Sequence, residues 1–173
     1  MVPRVDWEVA VATLTAWKFP EAGSAKEAVD VLEDLRSRGL IHVVDAAWVT
    51  WPEGTKAPMT HQLHDARRAG MVGGGLWGLL FGMIFLVPVI GLAVGAAAGA
   101  LTASLTDVGI DEGFVSAVRE KVTPGTSALF ALTAWADQDA VRQAFGGFHA
   151  ELITSNLSSE QEQRLRATFP LDT

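Results

Sequence analysis

The sequence contains no cysteine among its 173 residues. This absence excludes disulfide bonds, thiolate nucleophiles and metal sites built on cysteine. Positive charge is also scarce, because 13 lysine and arginine residues stand against 20 aspartate and glutamate residues, for a formal net charge of -7. A nucleic-acid partner is therefore not expected, since phosphate binding needs a basic surface. At this length we expect one domain, or one compact domain with an insertion.

The common signatures of catalytic and cofactor sites are also missing. No serine stands in a nucleophile-elbow motif, and the glycine run 73–75 lacks the Lys-Ser or Lys-Thr pair of a phosphate-binding loop. His61 and His64, with Asp65 adjacent, could hold a divalent metal if they lay on a helix. On the strand predicted here they point to opposite faces, and no clear third ligand accompanies them. We therefore expect no catalytic residue, no metal and no cofactor, and we identify no small-molecule substrate.

Charge is absent from one long stretch, the 38 residues 69–106 between Arg68 and Asp107. Pro88 divides this stretch into two apolar arms, each about 25 Å long at ~1.5 Å per helical residue. Glycine recurs there at four-residue spacing, which is typical of helices that pack backbone against backbone. We therefore predict a helical hairpin whose helix-packing and oligomerisation surface consists of Gly70, Gly74, Gly78, Gly82, Gly91, Gly95 and Gly99.

The apolar hairpin predicts a membrane location. A bilayer core is ~30 Å thick, so arms of this length are within the range tolerated for spanning. Arg67 and Arg68 are predicted to anchor one end of the hairpin at the membrane interface, and Trp77 is predicted to lie at an interface as well. Because the chain on both sides of the hairpin forms one lobe, we expect both termini on the cytoplasmic side of the inner membrane, with the lipid bilayer as a partner.

Outside the hairpin, strand and helix patterns alternate. The first part predicts strands at 7–17, 40–51 and 56–64, with a helix between the first two that begins at a Ser24/Glu27 capping box. The last part predicts helices at 111–122, 137–145 and 158–168, and strands at 127–135 and 149–157. The predicted segments are a first half of the lobe at 1–68, the hairpin at 69–106, and a second half of the lobe at 107–173.

The tetrapeptide Leu-Thr-Ala-Trp occurs twice, at 14–17 and 132–135, each time at the end of a predicted strand. A helix, a glycine stop and another strand follow each copy, as in a duplicated strand-helix-strand unit. Two such units make a ferredoxin-like α/β sandwich. We therefore predict an α+β fold, a ferredoxin-like α/β sandwich lobe with an inserted Gly-rich apolar helical hairpin, in which the repeated strands are neighbours. A chance similarity between two buried strands is the alternative.

Several motifs resemble those of a known family. In order, they are the Trp-Gly-x-x-x-Gly motif at 77–82, the central Pro88, the Asp-x-Gly-Ile-Asp link at 107–111, Pro-Gly-x-Ser-Ala-Leu at 124–129, and Leu-Ser-x-Glu-Gln-Glu at 157–162. The same order is found in the bacterial predicted membrane proteins grouped as domain of unknown function twelve sixty-nine. The resemblance implies a membrane protein without an established activity.

Three hypotheses about function follow. The first is a non-enzymatic, membrane-inserted homo-oligomer with a structural or stress-related role. The second is a soluble homo-oligomeric assembly or interaction module whose hairpins pack together in a common core, which the mean hydropathy of only +0.26 supports. The third is an enzyme or ligand-binding protein that uses the sheet face or the His61/His64 region. In the first two, self-association offsets the ~1 kcal/mol that each helical glycine costs relative to alanine; a hairpin packed wholly within one monomer is the alternative.

Overall fold

A computed structural model describes residues 13–63, 77–78, 80–86 and 110–156. These residues form a mixed lobe in which a five-stranded antiparallel sheet has helices on both faces. The α+β class predicted from the sequence is therefore confirmed. In chain order the elements are β1 Thr13–Phe19, α1 Ser24–Ser37, β2 Ile41–Thr50, β3 Met59–Gln62, the π-helix Gly82–Leu86, α2 Glu112–Lys121, β4 Ser127–Ala136, α3 Gln138–Phe145 and β5 Glu151–Ser155.

The strands lie in the order β3-β2-β4-β1-β5, and every neighbouring pair is antiparallel. The two strands that carry the Leu-Thr-Ala-Trp repeat, β1 and β4, lie side by side, with Leu14 opposite Leu132. The prediction that the repeated strands are neighbours in one sheet is confirmed. Both strands are largely buried, because helices cover both faces of the sheet and each face needs its own row of apolar side chains.

Helices α1 and α3 cover one face of the sheet. The apolar residues of α1 recur at helical spacing, and all of them that face the sheet are buried: Ala25, Ala28, Val29, Leu32 and Leu35. They pack against Phe19, Ile41 and Leu129 of the strands. We call this side of the sheet the α1 face.

The start of α1 differs from the predicted capping box. The helix begins at Ser24, and no side chain of its own N-terminal turn caps it. Instead the buried hydroxyl of Ser127, at the start of β4, accepts a hydrogen bond from the backbone N–H of Ala25 at 3.0 Å and donates one to the carbonyl oxygen of Glu21 at 2.6 Å. A distant strand thus satisfies a free N–H group of the helix.

Helix α2 and a second helical segment cover the opposite face. The segment comprises residues 77, 78, 80 and 81, which are α-helical, and the π-helix that follows them; we call it the core helix. Helix α2 begins where the Asp111 carboxylate accepts the backbone N–H of Phe114 at 2.9 Å, as an N-cap. Both helices bury apolar side chains in one cluster with all of the strands except β3.

The structure contradicts the predicted membrane location. In the part of the chain that it describes, no helix combines the length and the apolar composition needed to cross a bilayer. The core helix belongs to the first predicted arm, and its apolar side chains are buried against the sheet instead. Protein cores and lipid select the same apolar side chains, which is why the composition was misleading. The predictions of a transmembrane protein and of an inner-membrane location with cytoplasmic termini are therefore wrong.

The predicted segment boundaries at 1–68, 69–106 and 107–173 stay predictions. The core helix, which lies within the second segment, shares one buried cluster with β1 and β2 of the first and with α2, β4 and β5 of the third. The described residues of all three segments are therefore joined in a common core.

Candidate interaction surface

The core helix has two faces of different composition. Its large apolar residues, Trp77, Leu80, Phe81 and Ile84, recur at positions i, i+3, i+4 and i+7, and all are buried. Gly78, by contrast, is exposed, and Gly82 is half-buried. Large side chains thus attach the helix to the sheet, and the glycines lie on its other side. We call the surface at Gly78 and Gly82 the glycine face.

Trp77 is the central residue of the attached side. It is completely buried, and its ring lies 5.9 Å from that of Phe81 and 6.5 Å from that of Phe130 on β4. Its indole Nε1 donates a hydrogen bond of 2.8 Å to Oδ2 of Asp45 on β2. The prediction puts Trp77 at a membrane interface, whereas the structure places it in the protein core with its one polar atom paired.

Asp45 reaches Trp77 because β2 is irregular at this point. The pairing of β2 with β4 shifts between Val43 and Asp45. Asp45 also accepts the backbone N–H of Ala46 through its other carboxylate oxygen, at 2.8 Å. Sequence reasoning missed this contact, since a single acidic residue in an apolar strand gives no indication of the tryptophan 32 positions away.

The glycine face meets no other described part of the chain. Apart from its chain neighbours and the nearby backbone of its own helix, an added Cβ at Gly78 or at Gly82 would have no atom of the described residues within 4 Å. Alanine at either position would therefore fit beside the described residues of one protomer. The remaining predicted packing and interface residues lie outside the described ones: Gly70, Gly74, Gly91, Gly95, Gly99, Arg67 and Arg68.

Arg119 of α2 holds the end of the core helix. Its Nε donates to the carbonyl oxygen of Ile84 at 3.0 Å, and its Nη2 donates to that of Met83 at 2.7 Å. Hydrogen bonds from a charged guanidinium to carbonyl oxygens are stronger than those between neutral groups, so this contact ties α2 to the core helix. Local patterns do not single out Arg119, because basic residues are common in the last turn of any helix.

Aromatic contacts continue from the attached side toward the end of β2. The Phe85 ring lies 6.3 Å from that of Phe81 and 6.1 Å from that of Trp51, which follows β2. Phe85 and Trp51 are only half-buried. An apolar surface therefore extends from the core to the end of the core helix.

The histidine considered as a metal ligand has an aromatic partner. The His61 ring stacks on that of Trp48 at 5.1 Å and 18°, and Lys26 Nζ lies 5.9 Å from the centre of the Trp48 ring. Among the described ranges, no group of three histidine, cysteine, aspartate or glutamate residues could hold a metal ion. His64 and Asp65 lie outside those ranges.

Comparison with known proteins identifies a family. The family model described as "Protein of unknown function (DUF1269)" matches residues 71–170, which is more than half of the chain. No curated protein and no solved structure shows a significant match. The match spans the core helix and the elements from α2 to β5.

Proposed function

This chain belongs to the DUF1269 family of proteins of unknown function, and we propose that it is a non-enzymatic protein that assembles with copies of itself. In the proposed assembly, core helices of different copies pack together through their glycine faces. One observation carries the proposal: the core helix is attached to the sheet by its large apolar side chains, and Gly78 and Gly82 have no described neighbour within 4 Å of an added Cβ.

Glycine at these two positions has an energetic cost. Each glycine inside a helix costs ~1 kcal/mol relative to alanine, and alanine would fit beside the described residues at Gly78 and at Gly82. The requirement for glycine at these positions therefore comes from outside the described residues. A second helix backbone at close distance is the usual reason for glycine at four-residue spacing.

We include the ferredoxin-like fold with an inserted hairpin in the same proposal. Without its edge strand β3, the sheet has the order β2-β4-β1-β5. The strands form two strand-helix-strand units, β1-α1-β2 and β4-α3-β5, whose helices lie on one face. This arrangement supports a split βαβ plan. The core helix and α2 lie between the two units in the chain, where an insertion is expected.

The proposal is tested by the mass of the purified protein in detergent-free buffer, measured by light scattering after size-exclusion chromatography. We expect an oligomer for the wild type. Gly78→Leu should weaken it, because leucine would separate the helix backbones, at a cost on the order of a few kcal/mol. Gly78→Ala should have a much smaller effect, since alanine is small and favours helices.

Gly147→Leu is the matched control, because an added Cβ at this exposed glycine, in the turn that follows α3, also meets no atom of the other described elements within 4 Å. Its mass should equal that of the wild type. A monomeric wild type would contradict the proposal. An unchanged oligomer for Gly78→Leu would contradict it as well. If Gly78→Leu keeps the wild-type mass but loses stability, the glycine contact lies within one chain.

A further inference from the structure

A cavity of about 260 Å³ lies on the α1 face, on the opposite side of the sheet from the core helix. Buried side chains of the strands, Thr15 and Leu129 among them, form its floor. Leu32 of α1 closes one wall, and Val141 and Phe145 of α3 close another. The cavity is thus built from three elements of the lobe and is separate from the glycine face.

The cavity exists because α3 does not close on the sheet. This helix has a clear apolar stripe, yet none of its residues is buried. Its apolar side chains are small or half-buried, and the residues below them on β4 include Ala131 and Thr133. Small side chains on both sides leave a space that the packing does not fill.

The lining defines the chemistry of an occupant. Within the part of the chain that the structure describes, no charged side chain lines the cavity. The polar atoms of the floor are paired with one another, since Trp17 Nε1 donates to Thr15 Oγ1 at 2.9 Å and that hydroxyl lies 3.4 Å from the carbonyl oxygen of Ala131, to which it donates. Among the described residues, no buried side-chain nitrogen or oxygen lacks a partner. An ionised group would lie here without a counter-charge, which is strongly unfavourable.

The rim of the cavity is more exposed than its floor. Trp135 and Gln138 are exposed, and Thr133 is half-buried beside them. The hydroxyl and the amide can hydrogen-bond one neutral polar group of a bound molecule. Below the rim, the rings of Trp17, Phe19 and Phe145 line the cavity and favour a planar apolar body.

We propose that this cavity binds a small, uncharged, largely aromatic molecule that carries at most one neutral polar group. The site lies on the opposite face from the proposed contact between copies, so the two proposals stand or fail separately. The natural ligand is defined by this chemistry: ring stacking in the apolar floor, hydrogen bonding at the rim and exclusion of charge.

Two related fluorescent probes test the proposal. N-phenyl-1-naphthylamine is neutral, and 8-anilino-1-naphthalenesulfonate has the same rings with an added negative charge. Titration of the full chain should show saturable binding of the neutral probe, with about tenfold or greater preference over the anionic one, a difference of ~1.4 kcal/mol. Energy transfer from the tryptophans should accompany binding, because Trp17 lines the cavity.

Thr133→Phe should fill the cavity from β4 and lower the affinity for the neutral probe by about tenfold or more. Thr154→Phe is the matched control, because Thr154 is a half-buried strand residue outside the cavity lining. This variant should bind the neutral probe with the affinity of the wild type. If Thr133→Phe does not fold by circular dichroism, Val141→Phe fills the same space from α3. Absence of saturable binding, equal affinity for both probes, or wild-type affinity in the folded filling variant would overturn the proposal.

Discussion

The two faces of the sheet are covered by helices with similar apolar patterns but are packed differently. On the core-helix face, the rings of Trp51, Trp77, Phe81, Phe85 and Phe130 form a continuous series of contacts. On the α1 face, α3 leaves a cavity of about 260 Å³. An apolar stripe directs a helix to a sheet, but the volume of the facing side chains decides whether the space between them is filled.

The largest expected effect is on the densely packed face. Trp77→Ala removes the largest fully buried side chain among the described residues and leaves Asp45 without the indole donor. We expect the free energy of unfolding to fall by about 3–5 kcal/mol, as for other large-to-alanine changes in cores. Urea unfolding followed by circular dichroism measures it.

Trp135→Ala is the matched control, because Trp135 lies on the α1 face and is 44% exposed. Its effect should stay within about 0.5 kcal/mol, as is usual for surface positions. Equal losses for the two tryptophans would contradict the difference in packing between the two faces.

An intermediate effect should come from one substitution made on each face of β4. Ala128 lies in the cluster of the core-helix face and is completely buried, whereas Ala131 lines the cavity. Ala128→Val should destabilise by about 1–3 kcal/mol, because the added methyl groups have no space. Ala131→Val should stabilise by about 0.5–1 kcal/mol, because they fill an empty one.

Thermal and urea unfolding of Ala128→Val, Ala131→Val and the wild type measures whether each substitution raises or lowers the free energy of unfolding. The variants are matched, since they have the same chemical change on the same strand. Destabilisation of similar size at both positions would show that the α1 face has no room for added volume.

The smallest expected effect concerns the two hydrogen bonds that Arg119 donates to the core helix. Arg119→Lys keeps the positive charge but cannot donate to the carbonyl oxygens of Met83 and Ile84 in the same forked geometry. We expect a loss of about 0.5–1 kcal/mol in stability. Amide hydrogen exchange in the core helix should increase at the same time, since its end loses a hydrogen-bond partner.

Arg142→Lys provides the reference for this substitution, because Arg142 pairs with Asp139 in an exposed position. Little change is expected there, as for most surface ion pairs. If both variants are indistinguishable from the wild type in stability and in exchange, Arg119 does not hold the core helix.

Much of the lobe could be predicted from local patterns. The spacing of Ala28, Val29, Leu32 and Leu35 indicated α1, and the repeated Leu-Thr-Ala-Trp predicted the adjacent strands β1 and β4 correctly. The candidate surface could be predicted only in part. Gly78 and Gly82 follow from their spacing, whereas Arg119 and Asp45 contact residues 32 to 36 positions away, which no local pattern encodes.

Side-chain periodicity and charge are local properties, and they suffice to indicate most of the described helices and strands and the apolar character of the stretch 69–106. The position of the described part of that stretch depends instead on packing between distant segments of the chain. The large side chains of the core helix could be buried by lipid or by protein, since both environments exclude water from apolar surface. The strands β1, β2 and β4 supply an apolar face of the right shape, and Asp45 pairs with the indole of Trp77 on that face. The core helix is therefore buried in the lobe.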